Sequence, residues 1–444
     1  METDISKKAT GAYLLKFSLP TIISMLLMSL FGIVDGLFVA RIIDPIALAA
    51  VGIVFPFISF AMAIGLMLGT GGNAIVAKKI GEGLTREARE NFSLIALTGL
   101  AISIFLAVAG LIFPATITSI LGVDASVYDM VFEYLQPLLY FMPTIILGVV
   151  FQQFLITEGK AHIGTIATII GGLLNIGLNY LLIYVLQMGL RGAALATSIG
   201  YTVSLLVGVY HFAYNRKGYL HFVKPKFDFG LLAKASVNGL SEMVTMLATS
   251  IAAIVMNNVL MRIQGPEAVA AAGIMFAGVG ILTAIFMGYS AGIAPIISYN
   301  YGKNDTDNLR RVYSGSLRLL GFISVLSIAL GWLLTGPIIR IYDVPVGTPI
   351  YEMAFTGFRI FIAGFVFMAY NIFASMMFTA LNNGKLSGML SFFRALVFVV
   401  VSILVLSEIF GVNGAWIALP FSEVLAFAMT VYFLKAKRSV YKYA

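Results

Sequence analysis

The stretch Arg41–Phe55, RIIDPIALAAVGIVF, returns 221 residues later as Arg262–Phe276, RIQGPEAVAAAGIMF. Arg, Pro, Gly and Phe recur in register with the alanines, which low complexity alone does not produce. Outward from this block, residues 19–93 match 240–314 at roughly three positions in ten, through Gly81 against Gly302 and Arg89 against Arg310. A second block closes each half: Gly189, Gly192, Ala193 and Ala196 stand against Gly411, Gly414, Ala415 and Ala418. The chain reads as a tandem duplication.

The duplicated unit belongs in a bilayer. Of 444 residues, 60% are hydrophobic and 11% charged, and the mean hydropathy is +0.98. A soluble domain carries about 25% charged residues, so this composition cannot coat a water-facing surface. Apolar runs between short polar loops place helices at 15–41, 47–77, 92–113, 127–155, 163–186, 192–213, 231–262, 268–299, 312–334, 351–380, 387–408 and 412–434. A crossing takes roughly 20 residues. Six per half is even, so both halves insert the same way up, as parallel repeats about an axis along the membrane normal. The fold expected is all-α and integral to the membrane: twelve transmembrane helices in two pseudo-symmetric six-helix lobes around a central cleft. Residues 1–213 form the N-lobe, 214–230 a cytoplasmic linker and 231–444 the C-lobe.

Charge sets the orientation. With the N-terminus inside, inward segments hold about 22 of the 28 Lys and Arg, and outward loops about four (Arg41, Arg191, Arg262 and Arg340). The positive-inside rule then puts both termini in the cytoplasm, and the net charge of +8 reflects this bias rather than a nucleic-acid surface. The opening METDISKKAT is no cleavable signal. Cysteine is absent, and His162, His211 and His221 lack metal-ligand spacing. GTGGNA at Gly69–Ala74 lacks the lysine of a phosphate loop, so ATP is not the expected energy source.

Several motifs, in order, resemble the multidrug and toxic compound extrusion (MATE) antiporters, in particular their bacterial DinF-like and MepA-like members. They are LPTIISMLLMSLFGIVDGLFVAR in the first helix, DPIALAAVG, GTGGNAIVAKKIGEG, NIGLNY in the fifth helix, GLRGAALAT in the sixth and NGLSEM in the seventh. The resemblance covers nearly the whole chain. It implies a secondary active antiporter of the cell membrane that exports amphiphilic, mostly cationic drugs or toxic compounds in exchange for H⁺ or Na⁺. A monomer without a cofactor is expected, with small amphiphilic substrates and the bilayer as partners and no nucleic acid. A flippase for lipids or lipid-linked oligosaccharides shares the two-lobe plan but calls for a cationic cavity, whereas the cleft candidates here are acidic or neutral. An intramembrane enzyme needs a catalytic constellation, and the acids here are scattered over separate helices.

A charge inside a span costs at least about 2.5–3.5 kcal/mol, so each one needs a reason. Asp35 lies about 18 residues into the first helix, amid Ile33, Val34, Leu37 and Phe38, with no Lys or Arg within a turn. A lone carboxylate there suits the uptake and release of a positive ion, and the resemblance places its coupling-ion carboxylate at this position. Asn175 and Asn179 are one turn apart on helix five and share a face. The resembling family often has Asp where Asn179 stands. Thr202, with Thr197, is the candidate on helix six. In the second half, Glu242 and Glu423 are the intramembrane acids, and Arg394 can pair with either. Both acids, with Gln152, Asn258, Met25, Met28, Met246 and Met275, are candidates for the substrate cleft, where pliable thioethers suit flat aromatic cations. Pro20, Pro56, Pro143, Pro295 and Pro420 mark expected kinks.

Overall fold

The computed structural model describes residues 5–43, 45–114 and 128–444. Helix α1 (Gly11–Phe38) runs into a π-helical turn at Val39–Ile43, followed by α2 (Pro45–Gly81) and α3 (Thr85–Ile112). The fourth span is a pair, α4 (Tyr128–Tyr140) and α5 (Met142–Thr157), bent by 54°. Then α6 (Ala161–Asn179) continues as a π-helical turn (Tyr180–Val185), and α7 (Gly189–Tyr214) closes the half. The second half repeats the plan with α8 (Phe229–Gln264), α9 (Pro266–Gly302) and α10 (Thr306–Arg340). Its fourth span is α11 (Pro349–Ala363) with α12 (Phe365–Ala380), bent by 53°. Last come α13 (Gly384–Phe392), a π-helical turn (Phe393–Val397) and α14 (Phe398–Tyr441).

The two bends fall at Phe141 and Gly364, equivalent places in the two halves, so the duplication includes the break in its fourth helix. Of the expected kinks, Pro143 opens α5 beside one bend. Pro20, Pro56 and Pro295 lie within helices that stay continuous, and Pro420 lies nine residues beyond a break in α14 at Gly411. Among the described residues, 9 helices are long and apolar enough to cross a bilayer, or 11 when each bent pair is one span. The twelfth comes from Gly384–Tyr441, whose 58 residues would reach about 87 Å at 1.5 Å per residue, far beyond a hydrocarbon core of roughly 30 Å. Gly411 divides it, with φ 59° and ψ −137°, a conformation that glycine adopts without penalty. Large apolar side chains such as Phe105, Ile112, Val325 and Leu333 stand exposed along the helices, as a lipid-facing surface requires.

The first helix of each lobe starts on a side-chain cap. Thr10 Oγ1 accepts from Tyr13 N at 3.2 Å before α1, and Asp228 Oδ1 accepts from Leu231 N at 3.1 Å before α8. Twelve spans bring both termini and the linker to one end, the end rich in Lys and Arg. There the lobes touch, α2 against α8 and α9, and α1 against α9. The backbones approach so closely that a β-carbon at Gly71 or Gly239 would overlap the facing helix; the same holds where Gly81 meets the Tyr299 carbonyl and Gly302 the Lys78 carbonyl. Asn382 Nδ2 donates across the seam to Ala74 O at 3.2 Å, and the Lys78 ammonium lies 5.2 Å from the centre of the Tyr301 ring. Nearer the other end, a β-carbon at Gly36, Gly52 or Gly273 would meet no facing helix within 4 Å among the described residues. The lobes are thus sealed at the basic end.

Candidate functional site

Asp35 on α1 faces α6 and α7 inside the N-lobe. Asn179 Nδ2 donates to its Oδ1 at 2.7 Å and Asn175 Nδ2 at 3.3 Å, while Thr197 Oγ1 donates to Oδ2 at 3.3 Å. Asn179 also donates to Asn175 Oδ1 at 3.3 Å, which braces the two amides against each other. Every donor is neutral, and no cation pairs with Asp35 among the described residues. Asn179 sits at the junction of α6 with its π-helical turn, a register shift of the kind that often re-aims side chains at functional sites. Its Oδ1 is buried and receives no hydrogen bond, so an oxygen acceptor stands unused beside the carboxylate.

The site opens on a cavity of about 140 Å³ lined by Met28, Phe31, Asp35, Gln152, Asn175, Thr197 and Tyr201, with four glycines of α5, α6 and α7 among the rest of its wall. Pockets for drug-sized molecules run to roughly 300–1,000 Å³. This chamber is smaller than those pockets and has room for an ion with its water.

The other expected site residues divide. Gln152 and Met28 line the chamber, and Gln152 Nε2 donates to Thr168 Oγ1 at 3.4 Å. Thr202 does not reach Asp35: its hydroxyl donates to Ser198 O of its own helix at 2.9 Å, and Thr197 takes the place expected for it. Met275 is 0% exposed and packs beside Trp416 in the C-lobe core, so it lines no cleft. Met25 and Met246 are half-buried and Asn258 is exposed; none of the three lines the chamber.

In the C-lobe, Glu423 is held by Arg394 Nε at 3.0 and 3.1 Å and by Asn371 Nδ2 at 2.7 Å. Arg394 lies within the π-helical turn before α14. Glu242, 9% exposed, feels the Arg394 charge but shares no hydrogen bond with it. Sequence reading missed a ladder of buried hydroxyls below this pair. Ser391, Ser375, Ser387, Thr379 and Ser241 are linked in that order at 2.8, 3.0, 2.7 and 3.1 Å. The ladder ties α8, α12 and α13 together, since hydroxyls in a bilayer find partners on neighbouring helices. Its signal was the i, i+4 spacing of Ser375 with Thr379 and of Ser387 with Ser391.

Residues 20–181 and 243–404 each match the MatE family, one copy per half. Over 438 residues the chain is 23% identical to the multidrug export protein MepA of Staphylococcus aureus (strain MRSA252), covering 96% of this chain and 94% of that protein. With MepA of Staphylococcus haemolyticus (strain JCSC1435) the identity is 25% over 441 residues, covering 97% and 95%. Among solved structures, the outward-facing conformation of a multidrug resistance MATE family transporter of the MOP superfamily superposes with a TM-score of 0.91. There the identity is 23%, over 99% of this chain and 100% of that one.

Proposed function

The chain belongs to the MatE family, and from that premise we propose that it is a secondary active antiporter. It exports amphiphilic, mostly cationic compounds in exchange for H⁺ or Na⁺, with both termini in the cytoplasm. The observation that carries this reading is the Asp35 carboxylate, held by three neutral donors over a chamber with room for an ion and its water. Such a group has an unmet demand for positive charge. An ion moves a conformational equilibrium only by binding one state better than the other, and loading this carboxylate alters the balance between its amide donors and the rest of the lobe. The positive-inside bias makes the sealed basic end the cytoplasmic one. Loading Asp35 then favours release of substrate outward, and unloading it lets the inner side open for the next substrate. The multidrug export role of the staphylococcal relatives supports the substrate class.

The test is efflux of a fluorescent organic cation from proteoliposomes containing the purified protein, with proton and Na⁺ gradients imposed separately. Efflux driven by one gradient identifies the coupling ion. Efflux under neither overturns the antiporter reading.

A further inference from the structure

The polar linker between the lobes is docked for much of its length. Leu220 is 0% exposed, and Phe222 packs among Phe92, Phe151 and Phe212 with its ring 5.3 Å from that of Phe92. Arg89 of α3 donates to the carbonyls of Tyr219 at 2.9 Å and Gly218 at 3.4 Å, and Val223 N donates to Ser93 Oγ of α3 at 3.0 Å. Beneath this segment lies Glu158, 7% exposed, whose carboxylate accepts from Leu220 N and Tyr219 N. A β-carbon at Gly218 would overlap that carboxylate. Only residues 224–227 separate the docked segment from the Asp228 cap of α8, and the five steps from Val223 to Asp228 reach at most about 18 Å. While the segment stays docked, the start of α8 is leashed to the N-lobe, and α8 is the helix that seals against α2 at Gly71 and Gly239.

We propose that residues 218–223 are a strap that holds the cytoplasmic side shut, and that the Glu158 carboxyl beneath it is a regulatory proton-binding site separate from Asp35. The other lobe supplies a counterpart without an acid. Residues 5–9, ahead of α1, dock on α10 of the C-lobe, where Asn308 Oδ1 accepts from Ala9 N at 2.7 Å and Asn308 Nδ2 donates to Lys7 O at 3.2 Å. The leading segment of each lobe's first helix therefore docks on the third span of the opposite lobe.

Glu158 lies just beyond the end of α5. Burial pushes its carboxyl up to about 7 against an ordinary value of 4.5, opposed by the Leu220 and Tyr219 N–H groups and by Lys160 and Arg89. Farther out, Arg216 and His221 stand near Arg89, and His162 and His211 near Lys160. Release of the strap returns Glu158 to water and to its ordinary range, so the docked state holds the proton more tightly. Docking is therefore strengthened as pH falls through 7 and weakened as it rises. If the antiporter imports protons, an acidifying cytoplasm tightens the strap and slows the pump.

The experiment is hydrogen exchange on the full chain in nanodiscs at pH 6 and pH 8, corrected for intrinsic exchange rates. Linkage between values of 4.5 and about 7 predicts roughly tenfold greater protection of 219–223 at pH 6. Glu158→Gln, which keeps an oxygen for Leu220 N, removes that dependence, and residues 5–9 show none in either protein. Equal wild-type protection at the two pH values overturns the proposal, as does a Glu158→Gln protein that keeps the tenfold shift. The readout follows the strap and not transport, so a protein that shows the shift but no driven efflux leaves this inference standing and removes only the antiporter reading.

Discussion

Each lobe buries an acid against an asparagine amide at 2.7 Å, Asp35 against Asn179 in one and Glu423 against Asn371 in the other. The N-lobe adds only another amide and a hydroxyl, whereas the C-lobe adds the guanidinium of Arg394. A buried acid without a cation must borrow one from outside or stay protonated. A buried acid with a guanidinium has its cation supplied by the fold, and the pair costs desolvation while fixing geometry. Glu242, buried in the C-lobe without a hydrogen bond to that guanidinium, stands outside this contrast; on the antiporter proposal Asp35 serves exchange and the Glu423–Arg394 pair serves rigidity.

Replacement of the open acid has the largest expected effect. Asp35→Asn inserts normally but lowers gradient-driven efflux to the level of protein-free vesicles, and wild-type rates in that variant break the contrast between the lobes. Arg394→Ala acts on stability instead. It strands Glu423 and lowers thermal stability in nanodiscs by about 3–5 kcal/mol, while Arg394→Met combined with Glu423→Gln recovers most of the loss. If the double variant is no better than the single one, Arg394 does more than balance charge. Asn179→Ala removes the shortest donor to Asp35, a charge-assisted bond worth about 1.5–3 kcal/mol, and slows efflux roughly tenfold without altering the unfolding midpoint by more than a few degrees. Thr202→Ala has the smallest effect, within about 0.5 kcal/mol and with efflux unchanged; a clear efflux defect there would place α7 in another rotation.

The duplication, the span count and the acid with its two amides were legible because they rest on identity at fixed spacing. Asn175 and Asn179 share a face in any α-helix. Thr197 and Thr202 lie five positions apart, about 140° around the helix, and only the packed rotation of α7 decides which one meets α1. Met275 was misplaced for a reason particular to bilayers: lipid, core and cleft all accept apolar side chains, so hydropathy does not sort them. The docked strap was hidden because its bonds run through backbone N–H and C=O groups, which every residue shares, although Leu220 and Phe222 lie on either side of His221. The bend at Gly364 carried no proline to announce it.

At the seal, Gly81 presses on the carbonyl of Tyr299 and Gly302 on that of Lys78, and position 299 is the repeat partner of position 78. This is one contact made twice, the self-complementary kind that closes a twofold dimer. A six-helix unit carrying this contact needs no further surface to pair with a copy of itself, and one chain holding both units fixes the stoichiometry at one of each. Away from the join the halves differ: one holds Asp35 on neutral donors alone, and the other pairs Glu423 with Arg394.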